Sequence, residues 1–336
     1  MKIGVLGAGT WGMALARMLD LSGHEVTVWS ALPAEIDELS QTRKHRNLPG
    51  VAIPEDIAFT KKIDEACEGK DILLFAVPSV YVRATTAAAA PFIQAGQLIV
   101  DVAKGIEPET LKTMTGVISD ELKKRNGTDF AVRLVALSGP THAEEVSRDL
   151  PTAIVAASVD KAAAELVQNV FTNDCMRVYT HHDVLGVELC GAVKNVMALA
   201  AGISSGLGFG DNAKAALITR GMAEISRLGL RMGCSAQTFA GLAGIGDLIV
   251  TATSVHSRNN RCGQLIGQGR RPDEAVKEVG MVVEGINALP ATMQLSADYG
   301  VEMPIATAVN NVVFHSADPL EMVMNLMKRE KRPEMD

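Results

Sequence analysis

The first half of the chain alternates short apolar runs with stretches of helical apolar spacing. The second half keeps only the helical pattern. Residues 2–6, "KIGVL", form a short run with β-branched residues and predict a buried strand. "MALARMLDL" then carries apolar residues at helical spacing, Gly23 supplies a helix stop, and "EVTVW" predicts the next strand. Further strands are predicted in "DILLFAV", "QLIVDVA", "VRLVAL", "TAIVAAS" and "CMRVYT". Stretches such as "ETLKTMTGVISDELKK" separate them and read as helices. Strands covered on both faces show continuous apolar runs, so this alternation predicts a doubly wound, mainly parallel sheet.

After about residue 185 no comparable strand recurs, and "DLIVTAT" is the one ambiguous run. The long Ala/Gly segment, "AALITRGMAEISRLGLRMG", "GINALPATMQLSADYG" and "PIATAVNNVVF" all predict helices. The change of period predicts two domains, an α/β domain over 1–185 and an all-helical domain over 186–336. The tail "KREKRPEMD" is expected to be a frayed, solvated end.

Composition narrows the classes. The 336 residues are 47% hydrophobic and 21% charged, as in a globular chain and unlike a disordered one. The formal net charge of -7 argues against broad nucleic-acid binding, though not against a local basic pocket for a small anion. No uninterrupted apolar run of about 18 residues occurs, so no membrane insertion is expected. The first strand begins at Lys2, which leaves no room for a signal peptide. The five cysteines are odd in number and widely spaced, which suits reduced thiols and a cytoplasmic location. Neither an HExxH nor a paired CxxC occurs, so no metal is expected.

The chemistry begins at the first turn. Gly7, Gly9 and Gly12 have G-x-G-x-x-G spacing between a predicted strand and helix. That context points to a Rossmann-like dinucleotide-binding domain: a tight turn, close approach of backbone to pyrophosphate, and tight helix packing. An NAD-specific site usually places an acid at the end of the second strand. Here "VTVWSALP" puts Ser30 and Ala31 there, with no acid until Glu35. The expectation is that NADPH is accepted at least as well as NADH. Arg43, Lys44 and Arg46 follow as nearby cations or as a solvated basic loop.

Other candidates lie at strand ends and helix starts. Lys104 follows "LIVDVA", where a side chain points into the crevice of an open sheet or simply starts a loop. "ALSGPTHAEEV" offers backbone at Gly139 to Ala143 to a nicotinamide or substrate, while Thr141 with Glu144 reads as a capping box. "GIGDLIVTATSVHSRNNR" holds Asp247 and the run Ser257, Arg258, Asn259; the run suits a phosphate or a solvated helix start. Glu284 opens a predicted helix in "GMVVEGINAL". Lys194 is a lone cation in an apolar Ala/Gly helix. Its ammonium either snorkels or, partly desolvated beside Lys104 and steadied by Asp247, exchanges a proton with a hydroxyl.

These blocks, taken in order, resemble bacterial NAD(P)-dependent glycerol-3-phosphate dehydrogenases, enzymes of phospholipid precursor synthesis. The resemblance rests on "GAGTWG", "AVPS", "AKGIE", "SGPTHAEEV", "GAVKNVMALAAGISSGLGFGDNAKAALITRG", "GIGDLIVTATS", "SRNNR" and "VVEG". It implies oxidation of glycerol 3-phosphate with Lys194 as proton acceptor and NAD or NADP as cofactor. Lys104, Gly139, Thr141, Lys194, Asp247, Ser257, Arg258 and Asn259 are then expected to bind substrate. The cofactor is expected at Gly7, Gly9, Thr10, Trp11, Gly12, Lys104, Ala143, Arg258, Val282 and Glu284. Many relatives carry Arg or His where this chain has Ser30-Ala31. A small phosphate is the expected partner, and a homodimer the expected assembly. Two rival readings remain: a reductase of 2-hydroxy or 2-keto acids on the same fold, and a non-catalytic NAD(P)H sensor.

Overall fold

The computed structural model describes residues 1–331, 333 and 334. Arg332, Met335 and Asp336, part of the tail expected to fray, lie outside the described residues. The strands are β1 (Lys2–Leu6), β2 (Glu25–Trp29), β3 (Ala58–Thr60), β4 (Ile72–Phe75), β5 (Leu98–Asp101), β6 (Arg133–Ser138), β7 (Thr152–Ala157) and β8 (Met176–His181). Helices α1 (Thr10–Leu21), α2 (Pro33–Thr42), α3 (Ile63–Cys67), α4 (Val82–Ala89), α5 (Met114–Asn126), α6 (Ala143–Val146) and α7 (Lys161–Phe171) connect them.

The strands form one sheet in the order β3-β2-β1-β4-β5-β6-β7-β8. Every adjacent pair is parallel except β6 with β7. Alternate residues of each strand face opposite layers, and both layers are covered. Ile3, Val5, Ile72 and Leu74 pack on one side, and Leu6, Leu73, Phe75 and Ile99 on the other. This is why the strands read as continuous apolar runs. After β1 the chain winds outward through β2 and β3, then returns to lay β4 on the other side of β1. That reversal opens a crevice at the carboxyl ends of β1 and β4.

The helical part comprises α8 (Val184–Gly206), α9 (Asp211–Arg231), α10 (Ala236–Phe239), α11 (Asp247–Thr253), α12 (Arg258–Gly267), α13 (Pro272–Val279), α14 (Glu284–Asp298), α15 (Pro304–Phe314) and α16 (Pro319–Met327). Among the described residues, α8 is the one single helix long and apolar enough to cross a membrane, yet 89% of its apolar window is buried inside the protein. It is a core helix, and its glycines serve close packing. A Cβ on Gly202 would meet the Asn260 carbonyl at 2.0 Å, and one on Gly263 would meet the Leu199 carbonyl at 2.1 Å. Backbone therefore lies on backbone where α8 crosses α12.

One ambiguous run is resolved, one helix start moves, and one strand appears that the sequence did not announce. The ambiguous "DLIVTAT" is helix α11. The helix expected from Glu109 starts only at Met114, because Leu111 takes φ 56° and Ile106 bridges to Thr113 before it. The short β3 has no apolar run to announce it; its backbone pairs with β2 from Ala58 to Thr60.

Candidate active site

The first turn is built around an obligatory glycine contact. Gly7 has φ +124°, and a Cβ on Gly12 would lie 2.1 Å from the Gly7 carbonyl and 3.1 Å from the Ala76 side chain. Gly9 differs: nothing lies within 4 Å of where its Cβ would be, and the residue is exposed. Helix α1 starts at Thr10 with no side-chain cap and no acid in its first turn. Its leading N–H groups are left for an anion. A dinucleotide pyrophosphate fits this cradle in shape and charge. Trp11 packs partly into the core, and Thr10 Oγ1 accepts from Asn47 Nδ2 at 3.2 Å. Asn47 also touches the Met281 sulfur at 3.9 Å, which brings the segment carrying Val282 against this turn.

The next cluster begins just after β5. Lys104 follows β5, and its ammonium donates to the Gly139 carbonyl at 3.1 Å and to Asp247 Oδ2 at 2.7 Å. Asp247 opens α11 and is fully buried. Its other oxygen, Oδ1, accepts from Lys194 at 2.7 Å. Lys194 also donates to Thr251 Oγ1 at 2.6 Å, and that hydroxyl donates to the Asp247 carbonyl at 2.7 Å. One carboxylate thus sits between two ammonium groups. Burial drives the Lys194 pKa down from its ordinary value to about 7; Asp247 opposes this and Lys104 adds to it. His142 lies in the same field. Burial lowers its pKa, a hydrogen bond to the Val250 carbonyl opposes, and the Lys194 charge lowers it further.

The phosphate candidate lies one helix away. Ser257 caps α12, accepting from Asn260 N at 3.2 Å. Arg258 is exposed and makes no ion pair or hydrogen bond among the described residues. Asn259 is committed inside the protein: Nδ2 donates to Asn195 Oδ1 at 2.9 Å, and Oδ1 accepts from Gly285 N at 2.8 Å. It ties α12 to the residue beside Lys194 and to the start of α14. Glu284, the first residue of α14, accepts from Ser79 N at 3.0 Å and from Ser79 Oγ at 2.5 Å. Its carboxylate thereby joins the helical part to the loop after β4.

Two readings from the sequence change. Thr141 and Glu144 form no capping box. Helix α6 begins at Ala143 after His142, without a side-chain cap, and the Thr141 hydroxyl donates back to the Gly139 carbonyl at 3.2 Å. Arg43 has a structural task, since it donates to the carbonyls of Pro54 and Ile57 and lies over the Phe59 ring. Lys44 and Arg46 are exposed.

The family of the chain is shown by its likeness to known proteins. The profile of the NAD-dependent glycerol-3-phosphate dehydrogenase N-terminus matches residues 2–164, and that of the C-terminus matches residues 183–324. The chain belongs to the NAD-dependent glycerol-3-phosphate dehydrogenase family. A relative from Lactobacillus delbrueckii subsp. bulgaricus, glycerol-3-phosphate dehydrogenase [NAD(P)+] 2, is 67% identical over 99% of each chain. A glycerol-3-phosphate dehydrogenase [NAD(P)+] from Agathobacter rectalis is 51% identical over 99% of this chain and 97% of its own. The crystal structure of glycerol-3-phosphate dehydrogenase from Coxiella burnetii is 35% identical, with a TM-score of 0.92 over 98% of this chain and 99% of that one.

Three further residues bond to the candidate site residues and were not singled out in the sequence. Thr251 stands at i+4 from Asp247, on the same face of α11, and that spacing was the available signal. Asn195 and Ser79 each pair with residues more than 60 positions away, so nothing local marked them.

Proposed function

We propose that this chain interconverts sn-glycerol 3-phosphate and dihydroxyacetone phosphate with NAD(P)(H), and that Lys194 carries the proton. The carrying observation is the row Lys194, Asp247, Lys104, its first two members buried and the third half-buried, with a Lys194 pKa of about 7. A group that titrates there both gives and takes a proton readily at neutral pH. When bound, the nicotinamide supplies or accepts the hydride. Asp247 and Thr251 orient the Lys194 ammonium, and Lys104 weakens its hold on the proton. Lys104, Gly139, Thr141 and Asp247 bind the glycerol part in this reading. Ser257, Arg258 and the backbone N–H of Asn259, whose side chain is committed inside the protein, form the phosphate end, where an exposed guanidinium and an N-terminal helical turn suit a dianion. Phosphate binding energy then orients the reacting carbon. Gly7, Gly9, Thr10, Trp11, Gly12, Ala143, Val282 and Glu284 form the cofactor side, with Lys104 and Arg258 reaching both ligands.

The test is oxidation of NADH and NADPH with dihydroxyacetone phosphate, set beside a panel of 2-keto acids. Turnover with the phosphate alone is expected; turnover with a 2-keto acid alone would make the site one for carboxylates. Supply of glycerol 3-phosphate to phospholipid synthesis, cytoplasmic location and a homodimer belong to the same reading. The five free cysteines support the location, and light scattering checks the dimer.

A further inference from the structure

The end of β2 is joined by an acid from the next helix, Glu35. Dinucleotide sites of this fold usually keep a carboxylate there for the adenosine ribose, and Ser30 occupies the position. Ser30 is only 6% exposed. Its hydroxyl donates to Glu35 Oε2 at 2.6 Å and accepts from Leu32 N at 3.2 Å. Glu35 comes from the first turn of α2, which folds back over the strand end. It is half-buried, and its Oε1 makes no hydrogen bond among the described residues. The surroundings belong to the cofactor cradle. His45 is buried beneath, hydrogen-bonded to the Ala8 backbone in the glycine turn, and accepts from Asn47 N at 3.2 Å. Asn47 in turn donates to Thr10. Burial lowers the His45 pKa, so this floor brings no lasting positive charge to Glu35.

We propose that Glu35, positioned by Ser30, accepts the hydroxyl hydrogens of the adenosine ribose and makes the site favour NADH over NADPH. The inference rests on a dinucleotide binding at the glycine turn. A ribose diol offers two O–H donors to a carboxylate with a free oxygen. A 2′-phosphate there removes one donor and sets a dianion against an anion. This reverses the expectation drawn from Ser30-Ala31, because the chain restores the acid through Glu35. Arg46, exposed and close enough to act on His45, is the opposing cation.

The measurement is the dissociation constant of NADH and of NADPH, by fluorescence titration of the full chain without substrate. The unaltered protein is expected to bind NADH at least ~10-fold more tightly than NADPH, the low end for losing a hydrogen bond to a charged group. Glu35→Gln keeps the size and removes the charge, and it should shrink that ratio at least ~10-fold. Ser30→Ala leaves Glu35 in place but untethered, and should move the ratio the same way by less. It decides the matter if Glu35→Gln does not fold. Equal affinities or tighter NADPH binding in the unaltered protein overturn the proposal. So does a Glu35→Gln variant that weakens both cofactors by the same factor, or, if that variant does not fold, a ratio unmoved in Ser30→Ala. Binding of neither cofactor would overturn the reading of the glycine turn as well, which tells the two failures apart.

Discussion

Lys194 and Asp247 meet at 2.7 Å from helices 53 positions apart in sequence. The second oxygen of the same carboxylate holds Lys104 at 2.7 Å. An ammonium buried in an apolar helix is costly unless paired, and a pairing shared with a second ammonium is incomplete. The result is a lysine that gives up its proton near neutral pH.

We expect opposite pH profiles for the two directions. Reduction of dihydroxyacetone phosphate needs the ammonium form, so kcat/KM should fall as pH rises through about 7. Oxidation of glycerol 3-phosphate needs the neutral amine, so its kcat/KM should rise through the same pH. Lys194→Ala should lower kcat by at least ~10²-fold while NADH still binds. Profiles that run in parallel, or near-normal turnover in the variant, would remove Lys194 from the proton step.

Asp247→Asn separates orientation from charge. Asp247 raises the Lys194 pKa against burial and Lys104. Removing its charge should therefore move the falling limb of the reduction profile to lower pH, by about one unit or more. The variant should recover part of its reduction rate in more acidic buffer. A uniform loss with an unmoved limb would mean that Asp247 acts only through packing.

Much of the fold could be read from the sequence, because both layers of the sheet bury strands and so leave continuous apolar runs. What stayed hidden was set by pairing at a distance. The strand β3 is three residues long and held by β2. Helix α11 was ambiguous in the sequence because "DLIVTAT" is rich in β-branched residues, and it follows directly on the kinked helical turn Leu242–Gly246. Within the site, Lys194 was visible as a lone charge. The bond from Glu35 to Ser30 was not, since it depends on how α2 folds back over β2.

Two of the three glycines of the first turn, Gly9 and Gly12, should respond differently to alanine. Gly12→Ala forces a Cβ against the Gly7 carbonyl, an overpacking worth about 1–3 kcal/mol. Its Tm should fall. Gly9→Ala meets nothing within 4 Å, and Gly9 already has φ -63°, so its Tm should hold. NADH binding should nevertheless weaken, because the added methyl lies where backbone must approach the pyrophosphate. Undiminished NADH affinity in Gly9→Ala would place the pyrophosphate elsewhere.

Arg258 tests the substrate class. Its guanidinium is exposed at the first position of α12, beside the Ser257 cap. A phosphate there gains charge-assisted, bidentate hydrogen bonds. Lysine keeps the charge but loses the planar fork, so Arg258→Lys should weaken use of dihydroxyacetone phosphate and Arg258→Ala should weaken it more. Loss of a hydrogen bond to a charged group amounts to ~1.5–3 kcal/mol, or roughly 10- to 150-fold in kcat/KM. Dihydroxyacetone has no phosphate to lose, so its already poor kcat/KM should change far less. Both compounds are compared in the unaltered protein and in Arg258→Ala, at saturating cofactor because Arg258 is assigned to both ligands. A fall by the same factor for both would move Arg258 from the phosphate to the cofactor, and the specificity for a phosphorylated substrate would have to reside in other residues.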